Sequence, residues 1–352
     1  MAEPAAQTDL PEPKTPKKTG IWRHADGAVP NTLAFAYVAL AQAAGILLMT
    51  TGSPLTWLPG VLLTAHSLVI AGYLIHDVAH RSIFRSRELT ERVGEILSWI
   101  CGAAYAPFKR IQLMHMRHHG DRADLALFDP RDFLKTAPAW FRKLIYGLEW
   151  CYIPAVELVM HYHVVLRPFF NKAFAHERRR VLFVGATRLL FFAFLWTLSP
   201  WALVGYAIAY MLFLTALFIA DAFAHTYEFY LIEQASQPVP REGRDAAYDR
   251  EHTYSNVISE RWPWLNLLNL NFGYHTAHHD QPGMPWHRLP QLHAKTYAPD
   301  APQILPYREL WRSFHKNRLV RIEAEDAGDI GTGPGRADHF LGVHGVSFLS
   351  IV

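Results

Sequence analysis

Residues 55–80 read LTWLPGVLLTAHSLVIAGYLIHDVAH. The first part, Leu55–Ile75, carries no charged residue. It is long enough to cross the hydrocarbon core of a bilayer, which takes roughly 20 apolar residues in a row. Directly after it comes His76-Asp77-Val78-Ala79-His80. Two imidazoles four residues apart lie on one helix face and can serve one metal ion. Unrelated histidines also fall at this spacing often, so the meaning of the pair depends on the rest of the chain.

Three further apolar blocks accompany this one. Asn31–Gly52 lacks charge and precedes it across a Gly52-Ser53-Pro54 turn, Val181–Ser199 is interrupted only by Arg188, and Trp201–Ala220 follows a Ser199-Pro200 break. The pattern predicts spans at about 31–52, 55–75, 181–199 and 201–220, paired as two hairpins. Val93–Phe108 and Ile145–Phe170 contain charges and are expected as interfacial or re-entrant helices. Lys14, Lys17, Lys18 and Arg23 precede the first span and Arg178–Arg180 the third, whereas the turns after those spans carry no Lys or Arg. The positive-inside rule then places both termini and segments 76–180 and 221–352 in the cytoplasm. Residues 1–30 are expected as a disordered tail and not a cleavable signal peptide, 31–320 as the membrane domain, and 321–352 as a flexible tail.

Composition agrees. A mean hydropathy of +0.02 is high for a soluble enzyme, and only 18% of residues are charged. A net charge of +3 without a Lys/Arg stripe argues against a nucleic-acid partner. The two cysteines, Cys101 and Cys151, cannot form a disulfide framework and read as core residues. Histidine is the anomaly, with 20 in 352 residues.

Nearly half of these histidines cluster. His115-Met116-Arg117-His118-His119 and His275-Thr276-Ala277-His278-His279 share HxxHH spacing. Two such matches arise by chance in on the order of one sequence in several hundred. His115 and His118 are expected on one face with His119 pointing elsewhere, so that one segment feeds two metals. A structural zinc site needs only four ligands, usually with thiolates. Eight or more histidines suffice for two ions with open positions, which suits oxygen activation by iron. A ninth, His225 in Asp221-Ala222-Phe223-Ala224-His225, emerges from the fourth span on the same side, either as a ligand or as a helix cap.

HDVAH, HMRHH and HTAHH, in this order after paired spans, resemble the three histidine boxes of the membrane fatty acid desaturase superfamily. The setting of the third, Phe272-Gly273-Tyr274 before it and Pro282-Gly283 and Trp286 after it, is similar to bacterial desaturase-like proteins and suggests a bacterial inner membrane. The resemblance covers roughly Asn31–His293. It implies an all-α membrane fold whose cytoplasmic helical cap holds a dimetal site. It also implies two non-haem irons bound by His76, His80, His115, His118, His119, His275, His278 and His279, with dioxygen as oxidant. A further ligand from the helix before the third box matches His225. The acyl-CoA branch has an Asn four residues before that histidine, close to one iron through water; here stands Asp221, either a metal ligand or the carboxylate that orients His225. No HPGG haem signature is present, so the expected electron donor is a separate ferredoxin or cytochrome b5 type protein with its reductase. Substrates are expected to be fatty-acyl or other lipids. Desaturation leads, with hydroxylation, ketolation or decarboxylation to terminal alkenes as alternatives, and a non-catalytic metal-binding membrane protein behind them.

Other polar residues carry plainer readings beside functional ones. His66 lies within the second span, where Ser67 or a backbone group would satisfy it. Asp77, Asp280 and His287 either orient box histidines or are solvated. Arg188 is expected to snorkel, and Lys109, Arg110 and Arg178–Arg180 to meet lipid phosphates or set topology. His161, His163 and His176 are expected at the interface, and Tyr274 in aromatic packing.

Overall fold

The computed structural model describes residues 20–126, 128–227, 230–232, 239–240 and 242–344 of the chain. Four helical runs, Ala25–Thr50, Pro54–Ala79, Lys172–Leu198 and Pro200–Ala222, are long and apolar enough to cross a membrane. Their α-helical parts are α1 (Ala28–Thr50), α2 (Pro54–Ala79), α8 (Arg178–Leu198) and α9 (Pro200–Ala222). Each pair forms a hairpin, as the apolar blocks predict. In the first, small residues let the backbones touch. A Cβ on Gly45 would lie 2.2 Å from Thr64 Oγ1, and one on Gly60 would lie 2.8 Å from the Gly45 carbonyl oxygen. The hairpins join through α2 and α9, where Gly72 admits Leu217 and Phe213, and through Trp57 Nε1, which donates to the Trp201 carbonyl oxygen at 2.9 Å. The α2 helix is the central element, buried almost continuously from Leu68 to Ala79. That burial carries the first histidine pair into the interior instead of leaving it at a solvated helix end.

The remaining elements form the layer at that end of the spans. They are α3 (Arg87–Cys101), α4 (Phe108–Asp121), α5 (Pro130–Thr136), α6 (Ala139–Trp150), α7 (Ala155–Phe170), α10 (Ala246–Glu251), α11 (His275–Asp280), α12 (Leu289–Thr296), α13 (Tyr307–Asn317) and α14 (Val320–Glu323). The chain is not purely helical. Strands β1 (Asp124–Ala126) and β2 (Tyr230–Ile232) pair in parallel, as do β3 (Ser255–Val257) and β4 (Ile304–Pro306).

Several expectations are corrected. The stretch Val93–Phe108 is not one helix: Gly102, at φ +80°, ends α3, and the Phe108 amide donates to Glu95 Oε1 at 3.0 Å as α4 begins. Arg188 does not snorkel, because the guanidinium donates to the Trp99 carbonyl oxygen near the end of α3. Ile145–Phe170 divides at Tyr152 (φ +63°) and Pro154 into α6 and α7. Residues 20–30 are ordered, with the Trp22 ring stacked on Phe35 and Phe84; residues 1–19 lie outside the described residues. The segment after 320, expected to be flexible, packs as far as His344, since its apolar side chains find a partner in the end of α9. Phe340 is fully buried against Phe223, and the Val343 amide donates to the Ala222 carbonyl oxygen at 2.7 Å. Cys101 is buried as expected, but Cys151 is exposed.

Candidate metal centre

Three helices, α2, α4 and α11, deliver eight histidines to one place. His76 lies in the last turn of α2 and His80 caps it. The α4 helix brings His115, His118 and His119, and is held to α2 by Gln112 Nε2, which donates to the Ala79 carbonyl oxygen at 2.7 Å. The α11 helix brings His275, His278 and His279. Its start is fixed by Ser255 Oγ, which accepts from the Thr276 amide at 3.1 Å, and by Gly273, where a Cβ would lie 2.4 Å from the Asn256 carbonyl oxygen. The ninth, His225, stands three residues beyond α9 in an antiparallel bridge with Thr253.

These side chains form two groups. His76, His80, His115, His119 and His278 make one, and His118, His225, His275 and His279 the other; within each group the potential ligand atoms lie within 4.8 Å of one another. The division within each HxxHH segment differs from the sequence expectation. His115 goes with His119 and His275 with His279, at i,i+4, while His118 and His278 serve the opposite group. At 3.6 residues per turn, residues four apart diverge by about 40° around the helix and residues three apart by about 60°. The i,i+4 pair therefore converges and the third histidine diverges.

The nitrogens are close enough to surround cations. In the first group, His115 Nε2 lies 2.7 Å from His80 Nε2 and 3.3 Å from His119 Nε2, and His278 Nε2 is 3.2 Å from His119 Nε2. In the second, His225 Nε2 lies 2.8 Å from His275 Nε2 and 3.1 Å from His118 Nε2. Imidazole–metal bonds of roughly 2.0–2.1 Å give ligand–ligand edges of about 2.8–3.4 Å at octahedral or tetrahedral angles. His279 Nε2 is buried with no hydrogen-bond partner, an atom that a cation would satisfy. Burial pulls His80 and His275 down to about 3 and His118 to about 4, with neighbouring imidazoles adding to the effect at His80 and His275. The same causes hold His115, His119, His225, His278 and His279 well below the ordinary value. Neutral imidazole is the form that ligates. The residues present therefore fit a dimetal site.

The outward-facing ring nitrogens are held by residues that sequence reasoning missed. His118 Nδ1 donates to the Ala123 carbonyl oxygen at 2.8 Å. His225 Nδ1 faces Thr253 Oγ1 at 3.3 Å, and His279 Nδ1 meets Asp249 Oδ1 at 3.2 Å and Tyr227 O–H at 3.3 Å. Tyr227 also donates to Asp249 and stacks on His225, centroids 4.5 Å apart. No local motif surrounds Asp249 or Thr253, so nothing in the sequence marks them.

Asp221 is the main correction. It stands outside both groups, and His225 turns its Nδ1 to Thr253 instead. The α9 helix ends at Ala222, so the shared face assumed for residues 221 and 225 does not exist. Asp221 is buried close enough to Asp124 and Glu157 to help hold both carboxyls well above their ordinary values, although burial is the larger cause in each and Glu149 contributes more than Asp221 at Glu157. Asp77 touches the site instead: its Oδ2 is 3.6 Å from His76 Nδ1, and its Oδ1 accepts from the Trp286 amide at 3.1 Å. Asp280 binds Arg250 and Tyr297, and His287 faces Asp26. His66 hydrogen-bonds with Tyr37 O–H at 2.5 Å and the Leu268 carbonyl oxygen at 3.1 Å rather than with Ser67. Tyr274 packs beside Leu289 and Ile304, and its hydroxyl accepts from Asn266 Nδ2 at 3.0 Å.

The fold and site define a class of protein with four membrane-type helices under a helical layer enclosing two polyhistidine groups. Residues 53–311 match the fatty acid desaturase family, and the chain belongs to that family. A sphingolipid delta(4)-desaturase of Candida albicans (strain SC5314 / ATCC MYA-2876) is 26% identical over 243 residues, 65% of this chain and 60% of that protein. One of Komagataella phaffii (strain GS115 / ATCC 20864) is 40% identical over 73 residues, 18% of this chain and 20% of that protein. The chain thus matches about 60% of the length of the first relative and 20% of the second. Both are yeast proteins, so the bacterial setting rests on the third-box motif alone.

Proposed function

We propose that the protein is a membrane oxidoreductase using two irons and dioxygen, and that it desaturates a fatty-acyl chain. The observation that carries this reading is the convergence of nine histidines, seven buried and two (His80 and His119) half-buried, into two adjacent groups within a chain of the desaturase family. The first group would hold one iron through His76, His80, His115, His119 and His278, and the second the other through His118, His225, His275 and His279. A bound iron pair supplies oxidation of an unactivated C–H bond. The net change is loss of two hydrogens from the chain, while dioxygen takes two further electrons and two protons and leaves as two waters.

The protein's own part is placement. Ala123, Thr253 and Asp249 fix the orientation of three imidazoles from behind. Enclosure by α2, α4 and α11 keeps the nitrogens unprotonated, and the chain carbon that faces the site decides the product. Electrons come from a ferredoxin or cytochrome b5 type donor, and the spans lie in a membrane with both termini and the site in the cytoplasm. The test is gas chromatography–mass spectrometry of lipids and volatiles from cells expressing the protein. One added unsaturation at constant carbon number is expected. A product one carbon shorter with a terminal alkene indicates decarboxylation instead, and added oxygen indicates hydroxylation or ketolation.

A further inference from the structure

An apolar crevice of about 580 Å³ opens between α1, α2 and the 3₁₀ turn Pro263–Asn269, lined by none of the nine histidines of the two groups. Its size falls within the ~300–1,000 Å³ typical of small-molecule sites. The walls are Leu33 and Tyr37 of α1, Ile70 of α2, and Trp264, Leu267 and Leu268 of the turn. Leu33, Trp264, Leu267 and Leu268 are all exposed, and Leu33 continues at i+7 and i+14 into the exposed Leu40 and Leu47 along α1. The crevice is therefore continuous with the lipid-facing stripe of a candidate span. From Pro30 at the rim to Tyr37 it descends roughly 10 Å along the helix.

Its inner end is built differently. Leu270 and Asn271 line it with φ of +50° and +61°. A left-handed conformation costs little for Asn but is an outlier for Leu, and such strain gathers where function over-determines the backbone. Asn271 is 4% exposed, donates from Nδ2 to the Trp286 carbonyl oxygen at 3.2 Å, and leaves Oδ1 buried with no hydrogen-bond partner. The next residue, Phe272, sets its ring 5.2 Å from that of His76 and 4.6 Å from that of His275, one from each group. Trp286, also in the crevice wall, donates its amide to Asp77 beside His76. A strained two-residue turn thus separates a membrane-facing slot from both halves of the metal centre.

We infer that this crevice is a lateral binding site for a bilayer-resident lipid. Its hydrocarbon chain lies between α1 and the Pro263–Asn269 turn, and a hydrogen-bond donor next to that chain, a hydroxyl or amide N–H, is accepted by Asn271 Oδ1. The inference rests on the proposed lipid-oxidising function and deepens it: substrate reaches the site from the membrane plane and not from water.

The test uses the full-length iron-loaded protein in phosphatidylcholine liposomes with two photoactivatable probes. One is a ceramide carrying a diazirine in its acyl chain; the other is the matched diacylphosphatidylcholine, which has neither a hydroxyl nor an amide donor. Saturable labelling of Leu33, Ile70 and Leu268 by the ceramide probe is expected, competed by unlabelled ceramide, with only non-saturable labelling by the phosphatidylcholine probe. The double variant Leu33→Trp/Leu268→Trp should lower the saturable labelling at least tenfold. Leu47→Trp, at the far end of α1, should leave it unchanged, and iron content should be the same in all three proteins. Non-saturable labelling by both probes, equal labelling by both, or full labelling of the double variant overturns the proposal. Labelling is read without turnover, so saturable labelling in a protein that yields no oxidised lipid upholds the site and counts only against the proposed reaction.

Discussion

Asp249 Oδ1 lies 3.2 Å from His279 Nδ1, on the opposite side of the imidazole from Nε2, which is buried without a hydrogen-bond partner. The carboxylate thereby fixes the tautomer that leaves Nε2 free to bind a cation, as carboxylates behind metal-bound histidines commonly do. Asp249→Ala is expected to cost 10–100-fold in metal affinity or turnover, the range found when such partners are removed. Asp249→Asn should fall between it and the wild type. Iron titration and product formation in the purified variants check this, and wild-type values for Asp249→Ala would remove Asp249 from the site.

The two groups predict how iron is lost. Replacing His80 or His119 with Ala should empty one site first and leave the second partly filled, and His225→Ala or His275→Ala should do the reverse. Metal content per chain, with spectroscopy of the residual iron, distinguishes this from simultaneous loss. Asp221→Asn should retain iron content within about twofold, since Asp221 stands outside both histidine groups and Asn keeps the size of the side chain and its capacity to accept hydrogen bonds. Loss of one iron in that variant would restore the direct role that the sequence suggested.

The pH dependence follows from the imidazoles. His80 and His275 are pulled to about 3 and His118 to about 4, from an ordinary 6.5. Between those values the unfolded chain binds more protons than the folded one, so stability rises with pH. This contribution is fully present above pH 6.5 and is lost as pH falls toward 4 and then 3. The Tm of metal-free protein should be lower at pH 5 than at pH 8, and iron should be released over the same window because protons compete for the ligands. A Tm independent of pH across that range would contradict the burial of these rings.

The membrane orientation is checked by single cysteines in a Cys151→Ser background, needed because Cys151 is exposed and Cys101 is buried. Thr51→Cys and Leu198→Cys lie at the two hairpin turns, and Gln281→Cys lies just after α11. The first two should react with an impermeant thiol reagent added outside intact cells. The third should react only after permeabilisation, and outside labelling of Gln281→Cys would invert the topology.

What the sequence determined by itself is the part governed by local periodicity. Apolar runs, one of them broken only by Arg188, located the four candidate spans to within a few residues, because the length of a span is set by the bilayer and not by neighbouring elements. Repeated HxxxH and HxxHH spacing picked out the eight box histidines, and position at the end of the fourth span added His225; all nine are in the two groups. Helix geometry favours the i,i+4 pairing within α4 and α11, but the tertiary structure decided which rings complete each group. Spacings of three and four are near neighbours on a helix, and only the rotation of α4 and α11 against each other assigns each ring to a group. It also decided the residues behind the rings, since Asp249 reaches His279 across 30 positions and Asp77 reaches Trp286 across 209, with no shared motif. The place of Asp221 relative to His225 was decided in the same way. Its relation to His225 assumed a helix running one more turn, and where a helix stops depends on what packs against its end. Here that is the Val343 amide, which takes the Ala222 carbonyl oxygen, and the His225–Thr253 bridge just beyond it.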